Sequence, residues 1–441
     1  MKLLRELKLQ DDFMLDIKLI RENPKTIEEN LKKRQDKEKI KLLNDLIKND
    51  KKYRELLKEV ENLKHKRNII SKDISELKKQ CKDVSKKLKE VEYIPKEIEK
   101  IEKETKKLKE KIDHALIRIP NLLHKSVPIG KNENDNIEIR RWGKPPKFDF
   151  KPKSHLEILQ NLGMIDIESA AKVSGNAFYY LKGYAVLLDL AIQRFAMDFL
   201  MKKGFQIIEP PLLINKRSYE GMIGDPFDFA EASYKIEGED LFLIPTAEYP
   251  LGSMFTDKTF NKNELPLKIC GVSACFRKEV GTHGKYAKGL FRVHHFNKVE
   301  QFIFCLPEDS WKLLEELQKN SEELYQKLGL HYRVVNICSG DISAKAAKAY
   351  DIEIWMADEK FRESGSNSNV TDYQARRLNM KYREKEGQTP IGFIHTLNNT
   401  ALATSRTIIA IVEQHQQKDG TVLIPKVLIP YMNGIKKLEK I

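Results

Sequence analysis

Between Leu42 and Leu77, positions alternately four and three residues apart form an unbroken series: Leu42, Leu46, Asn49, Tyr53, Leu56, Val60, Leu63, Arg67, Ile70, Ile74 and Leu77. Charged residues fill the spaces between them. A repeat of 3.5 residues is the signature of a coiled-coil seam. A second run follows at Ile94, Ile98, Ile101, Thr105, Leu108, Ile112 and Ala115. With one apolar stripe each, the two helices are expected to fold back on one another. A turn around Lys78–Asp83 gives arms of about 38 and 34 residues, each over about 50 Å long at 1.5 Å per residue. Pro95 then lies inside the returning helix, where a kink or local irregularity is expected.

The pattern changes after residue 120. Pro120-Asn121, Val127-Pro128-Ile129-Gly130 and Gly143-Lys144-Pro145-Pro146 are clustered breakers, so 121–153 reads as a linker between an N-terminal domain (1–120, arm about 40–117) and a second domain, 154–441. That domain mixes periods. Tyr184 to Lys203 is helical and stops at Gly204, and Phe205–Glu209 is a strand stopped by Pro210-Pro211. Two β-prone segments flank a glycine- and lysine-rich loop and predict a long antiparallel hairpin, with strands ending near Phe276 and beginning near Phe291. Ile391–Asn398 reads as a strand, with Asn399–Arg406 opening a helix that reaches Gln416. The fold class is α+β.

Charge is unevenly placed. The net +14 divides into 35 Lys+Arg against 25 Asp+Glu over residues 1–120, and 44 against 40 over the rest. The basic excess lies where a polyanion could meet it. No run of 18 apolar residues exists, so no membrane span is expected. Met1–Phe13 carries Glu6, Asp11 and Asp12 and lacks a signal-peptide core. The five cysteines include no C-x-x-C pair, which gives no zinc site or disulfide framework and suits a reducing cytoplasm.

The hairpin carries the chemistry: Phe276-Arg277-Lys278-Glu279, a loop, then Phe291-Arg292-Val293-His294-His295-Phe296-Asn297-Lys298-Val299-Glu300. Arginine clamps phosphate, carboxylate accepts from an adenine amino group, and an aromatic ring stacks on a base. This spacing resembles motif 2 of the class II aminoacyl-tRNA synthetases. The helix–glycine–strand–proline run at 184–211 resembles motif 1, and the segment leading to Arg406 resembles motif 3. Met14–Pro24 and Arg67–Lys72 resemble the N-terminal domain of seryl-tRNA synthetases. Leu243–Glu248 resembles their substrate loop, and Tyr350–Trp355 with Glu363–Arg377 their signature.

The resemblance implies a helical tRNA-gripping arm (Leu42 to Ala115) and a catalytic domain with a mainly antiparallel sheet flanked by helices. It places Arg277 on the α-phosphate and the substrate carboxylate, and Arg406 on the γ-phosphate. Glu279 would accept from adenine, Phe296 would stack on it, and Lys278, Val293, His294, His295, Ser364 and Gly365 would complete the ATP pocket. Thr246 and Glu248 would hold the serine ammonium, Glu300 its hydroxyl, and Asn398 and Thr400 would face it. Glu363 and Ser366 would hold Mg²⁺, with no zinc expected. Thr282, His283, Lys285 and Lys288 of the hairpin loop would approach the acceptor end of tRNA. Where many members carry glycine-serine-glycine, this chain has Asn399-Thr400-Ala401, and Ser405 replaces the usual glutamate before the arginine.

The implied activity is ATP-dependent formation of seryl-adenylate and transfer of serine to tRNA(Ser), with tRNA(Sec) as a further substrate the family allows. A cytoplasmic homodimer without membrane contact is implied as well, and the linker and motif 2 wording lean toward the archaeal and eukaryotic branch. The competing readings are a paralogue that loads a carrier protein, against which the arm argues, and a non-catalytic RNA-binding scaffold, against which the motif arginines and glutamates argue.

Overall fold

The computed structural model describes residues 17–224, 233–279 and 289–440. Two compact units divide the chain at Ile119/Pro120. The extension Met1–Phe13 and the hairpin loop residues Thr282, His283, Lys285 and Lys288 lie outside the described residues.

The N-terminal unit is helical: α1 (Ile17–Glu22), α2 (Pro24–Lys33), α3 (Lys37–Lys79) and α4 (Ser85–Arg118). Pro24 begins α2, where a missing N–H costs nothing. Asp36 caps α3, its side chain accepting from the Lys39 N–H at 3.0 Å. The helix ends at Gln80, and Cys81 takes a left-handed conformation (φ 53°) that reverses the chain. The turn thus falls in the expected stretch, and the helix assignment runs through Pro95.

From Tyr53 to Leu77 the eight predicted seam positions are all buried or half-buried, while nearly every residue between them is exposed. Val60, Ile70 and Ile74 pack against Ile94 and Ile98 of the returning helix. Lys64–Glu102 (2.8 Å) and Lys66–Glu90 (2.6 Å) cross the pair at the surface and add little beyond register. Near the base the pattern departs from the heptad. Leu43 is buried rather than Leu42, and Asp50 is buried between Arg21 of α1 (2.6 and 2.9 Å) and Arg54 (3.0 Å). That ion cluster ties α1 to α3 and compensates an otherwise costly buried carboxylate.

The second unit is built on an eight-stranded sheet: β1 (Ile137–Trp142), β2 (Gln206–Ile208), β3 (Leu267–Phe276), β4 (His295–Cys305), β5 (Tyr332–Asn336), β6 (Lys348–Trp355), β7 (Phe361–Thr371) and β8 (His395–Ala403). The spatial order is β1-β5-β6-β7-β8-β4-β3-β2, antiparallel throughout except for β2 beside β3. The expected hairpin is β3–β4, in register from Leu267↔Phe304 to Phe276↔His295.

Strand alternation explains how β4 serves both layers. Val299 and Ile303 enter a core with α5 (Tyr184–Lys202), α7 (Ser310–Lys327) and α9 (Thr404–Gln414). Phe302 and Phe304 enter the opposite core, with Phe242, Tyr249, Leu251 and Met380. On that second side α6 (Glu248–Ser253) and α8 (Tyr373–Arg377) support the site.

Two stretches differ from the sequence reading. The segment read as a linker contributes β1, an edge strand pairing with β5. All six of its residues are exposed, so neither face of the strand is buried. Asn399–Ala403 is not the start of a helix but the end of β8, and α9 begins at Thr404. Against β4, Thr400 pairs with Glu300 and Leu402 with Val299, which leaves Ala401 as a bulge just before the helix.

Candidate active site

Hairpin β3–β4, the start of β7, the end of β8 and the first turn of α9 enclose a cleft of about 430 Å³ that is open to solvent. Arg277 enters from the end of β3 and Arg406 from α9, so two arginines 129 positions apart in sequence face one space. Glu279, Val293, Phe296, Glu363, Ser364, Gly365 and Thr400 line it as well. The residues expected around ATP that do not line it are Lys278, His294, His295 and Ser366. His294 stacks on Phe178 at 4.9 Å, its Nδ1 2.8 Å from the Arg277 carbonyl and 2.9 Å from the Tyr234 hydroxyl. His295 stacks on Phe276 at 5.4 Å, and the Lys278 ammonium lies over the Tyr234 ring. These side chains brace the hairpin from behind.

Each arginine packs on an aromatic face: Arg277 over Phe296 at 5.3 Å and Arg406 over Phe291 at 4.7 Å. Arg277 also donates to the Pro245 carbonyl at 3.2 Å. Glu279, at φ 45°, is 3.3 Å from Arg292. The Arg406 guanidinium donates to the Glu363 carbonyl at 2.8 Å and lies 3.3 Å from its carboxylate. The Arg406 charge, with Arg277 and Arg292 beyond it, holds the Glu363 carboxyl below the usual range. Its side chain still opens 48% to the cleft, so the carboxylate is reachable although protein surrounds it. Across β6–β7, Asp351 pairs with Ser366. Burial first, then the Glu363 charge, pushes the Asp351 carboxyl well up, against a Ser366 hydrogen bond.

Beside the cleft is a buried polar cluster around Glu300. Glu300, 1% exposed, accepts from the Thr246 hydroxyl (2.5 Å), the Glu248 N–H (3.1 Å), Asn398 (3.1 Å) and the Lys298 ammonium (2.8 Å). Burial would raise the Glu300 carboxyl, but the Lys298 charge and the hydrogen bonds outweigh it and the carboxyl lies below its usual range. Glu248 is held by the Lys345 ammonium and by Gln374 at 2.8 Å, which in turn accepts from Thr396 at 2.7 Å. Lys298, Lys345, Gln374, Asp351 and Phe291 were not expected from the sequence. Lys298 alone had a signal: a lysine two positions before Glu300 shares with it a strand face that is otherwise apolar (Phe296, Phe302, Phe304).

The long hairpin, the bulged strand beside it and the arginine at the head of α9 define the catalytic core of a class II aminoacyl-tRNA synthetase. Residues 231–415 match the family model of the "tRNA synthetase class II core domain (G, H, P, S and T)". Residues 14–123 match that of the "Seryl-tRNA synthetase N-terminal domain". The chain is 49% identical over 426 residues to a serine–tRNA ligase of Methanocella arvoryzae, covering 96% of this chain and all of that one. Its structure resembles seryl-tRNA synthetase from Pyrococcus horikoshii complexed with ATP (TM-score 0.93, 48% identity, 97% and 100% of the two chains). It also resembles the cytoplasmic enzyme of Naegleria fowleri in complex with AMP (TM-score 0.88, 36% identity, 97% and 99%). The chain belongs to the seryl-tRNA synthetase family, whose members are ATP-dependent serine–tRNA ligases.

Proposed function

We propose that the chain joins serine to tRNA(Ser) in two steps, using the cleft for ATP and the Glu300 pocket for serine. The observation that carries this reading is that Arg277 and Arg406 line one cleft directly beside a buried, hydroxyl-reading carboxylate. In the first step a serine carboxylate oxygen attacks the α-phosphorus of ATP, and the bond to the β-phosphate breaks, releasing diphosphate. In the second, a ribose hydroxyl of the terminal tRNA adenosine attacks the seryl carbonyl and AMP leaves.

No side-chain nucleophile is needed. Arg277 spans the serine carboxylate and the α-phosphate, a task for a planar fork of donors. Arg406 holds the γ-phosphate, and both arginines offset the charge of the pentavalent transition state. Phe296 stacks on adenine and Glu279 accepts from its amino group. Serine gives its hydroxyl to Glu300, taking the place of the Thr246 hydroxyl. Its ammonium lies by Thr246 and Glu248, with Asn398 and Thr400 opposite. Glu363, half-open to the cleft, offers hard carboxylate oxygens that fit Mg²⁺ and would hold it there, with Ser366 outside the lining, paired with Asp351 across the strands. Bound there, the ion would neutralise phosphate charge and align the diphosphate leaving group.

The lysine-rich arm binds tRNA by phosphate, sugar and shape, with the hairpin loop near the acceptor end. Large apolar side chains left exposed on the motif 1 helix, Val186 and Leu190, support a homodimer. No helix among the described residues is long and apolar enough to cross a membrane, and we place the enzyme in the cytoplasm. ATP–diphosphate exchange with serine, threonine, alanine and glycine tests the reading. Exchange with serine alone is expected, and exchange absent with serine overturns it.

A further inference from the structure

Lys298 has no role in the mechanism above, yet its ammonium joins two of the residues assigned to serine. Its ammonium donates to Thr246 Oγ1 at 2.6 Å and to Glu300 Oε1 at 2.8 Å, with only 6% of the side chain exposed. These are the two acceptors to which the serine ammonium and hydroxyl are assigned. Lys298 and Glu300 sit two apart on β4 and share one face. The lysine also forms part of the wall of the nucleotide cleft, so it stands between the two substrates.

Of the four donors to Glu300, only Lys298 carries a charge. The others are a hydroxyl, an amide and a peptide N–H. A carboxylate this buried without a cation would take up a proton. It would then become a donor on one oxygen and lose the purely accepting character needed to read a hydroxyl. Among the described residues, the remaining ionisable groups facing it do not supply that charge. Glu248 is matched by Lys345, and Arg277 is turned to Pro245 and Phe296. Tyr249 and the Cys270 and Cys275 thiols are all pushed up, chiefly by burial.

We infer that Lys298 is the positioning residue for serine selection, holding Glu300 ionised and aimed at the substrate hydroxyl. The inference rests on the Glu300 pocket being the serine site. It predicts that Lys298→Met raises the KM for serine at least tenfold in ATP–diphosphate exchange, well beyond any change in the KM for ATP. The preference for serine over alanine narrows in parallel, because the alanine side chain has no hydroxyl to lose contact with. Lys298→Arg, which keeps the charge, recovers part of the serine affinity. The decisive comparison is the double variant. If Lys298 acts through Glu300, Lys298→Met in a Glu300→Gln background adds less than twofold to the serine KM of Glu300→Gln alone. Removing both partners also leaves no uncompensated buried charge, so the double variant is the one expected to fold if Lys298→Met does not. Independent, multiplicative effects overturn the inference, as does a serine KM for Lys298→Met within twofold of the unaltered protein while Glu300→Gln is impaired. Should Glu300→Gln itself leave the serine KM unchanged, the serine-pocket reading falls instead, and the two failures are told apart.

Discussion

Arg406 grips Glu363 twice, donating to its main-chain carbonyl at 2.8 Å and facing its carboxylate at 3.3 Å. The cation assigned to the γ-phosphate and the anion assigned to the metal are therefore joined across α9 and β7. Arg406→Ala is expected to cut the rate of serine-dependent exchange by about 10³-fold or more, the scale of losing an arginine at a phosphoryl-transfer centre. Arg406→Lys is expected to recover little, since a point charge cannot reproduce the fork. Stopped-flow or radiometric exchange measurements would show it.

Arg277→Ala should abolish exchange while leaving the fold intact. The arginine is only half-buried, and among the described residues its side chain hydrogen-bonds to a carbonyl, that of Pro245. A thermal melting curve beside the exchange assay separates loss of chemistry from loss of structure. Near-normal exchange would contradict the assignment.

Replacing Leu42–Ala115 with a short linker should spare adenylate formation and destroy tRNA charging. A milder version is Ile70→Ala, which removes a buried contact between α3 and α4. Truncations of this kind cost about 2–5 kcal/mol in a packed core. Faster amide exchange in the outer half of the arm and weaker tRNA binding are expected, with unchanged serine-dependent exchange.

Much of the arm was legible because a 3.5-residue period is a pattern that only a two-helix seam explains. Its base was not. Leu43 and Asp50 are buried by α1 and by the Arg21–Asp50 contact, which no local period encodes. The same divide runs through the site. Arg277, Glu279, Glu300, Glu363 and Arg406 were readable because each sits in a spaced motif. Lys345 and Gln374 were not, because their task is to hold Glu248 from elements more than ninety residues away. Strand β1 escaped although Ile137 and Ile139 alternate with Glu138 and Arg140, because the run is short and lies among clustered breakers. Asn399–Ala403 was misread as helical because the side chains of β8 are buried along both faces, which hides the period of two.

Acid should weaken the protein through Glu300. Its carboxyl lies below the ordinary range when folded, so the associated stabilisation is complete above the unfolded value, about 4.3, and is lost as pH falls through the folded value. The melting temperature of the unaltered protein should therefore fall more steeply in acid than that of Glu300→Gln. Parallel pH profiles would contradict it.

Gly271 lies opposite Glu300 in the hairpin register. A methyl group there would meet Leu251 Cδ1 at 2.6 Å and Ala247 Cβ at 2.9 Å; the leucine is buried in the core and the Ala247 Cβ is fixed to its backbone. Gly271→Ala is expected to displace the segment holding Thr246 and Glu248, raising the serine KM several-fold and lowering the melting temperature.

The bulge at Ala401 gives this site a fixed phase. One surplus residue lets Thr400 stay level with Glu300 while the following turn carries Arg406 round to the nucleotide. Deleting it would restore a regular ladder from Thr400 to Leu402 and remove the local bend and twist that the bulge gives the strand before the helix. Amino-acid choice and nucleotide grip are thus geared together by a single irregularity, and neither can be retuned by insertion or deletion at that joint without disturbing its counterpart.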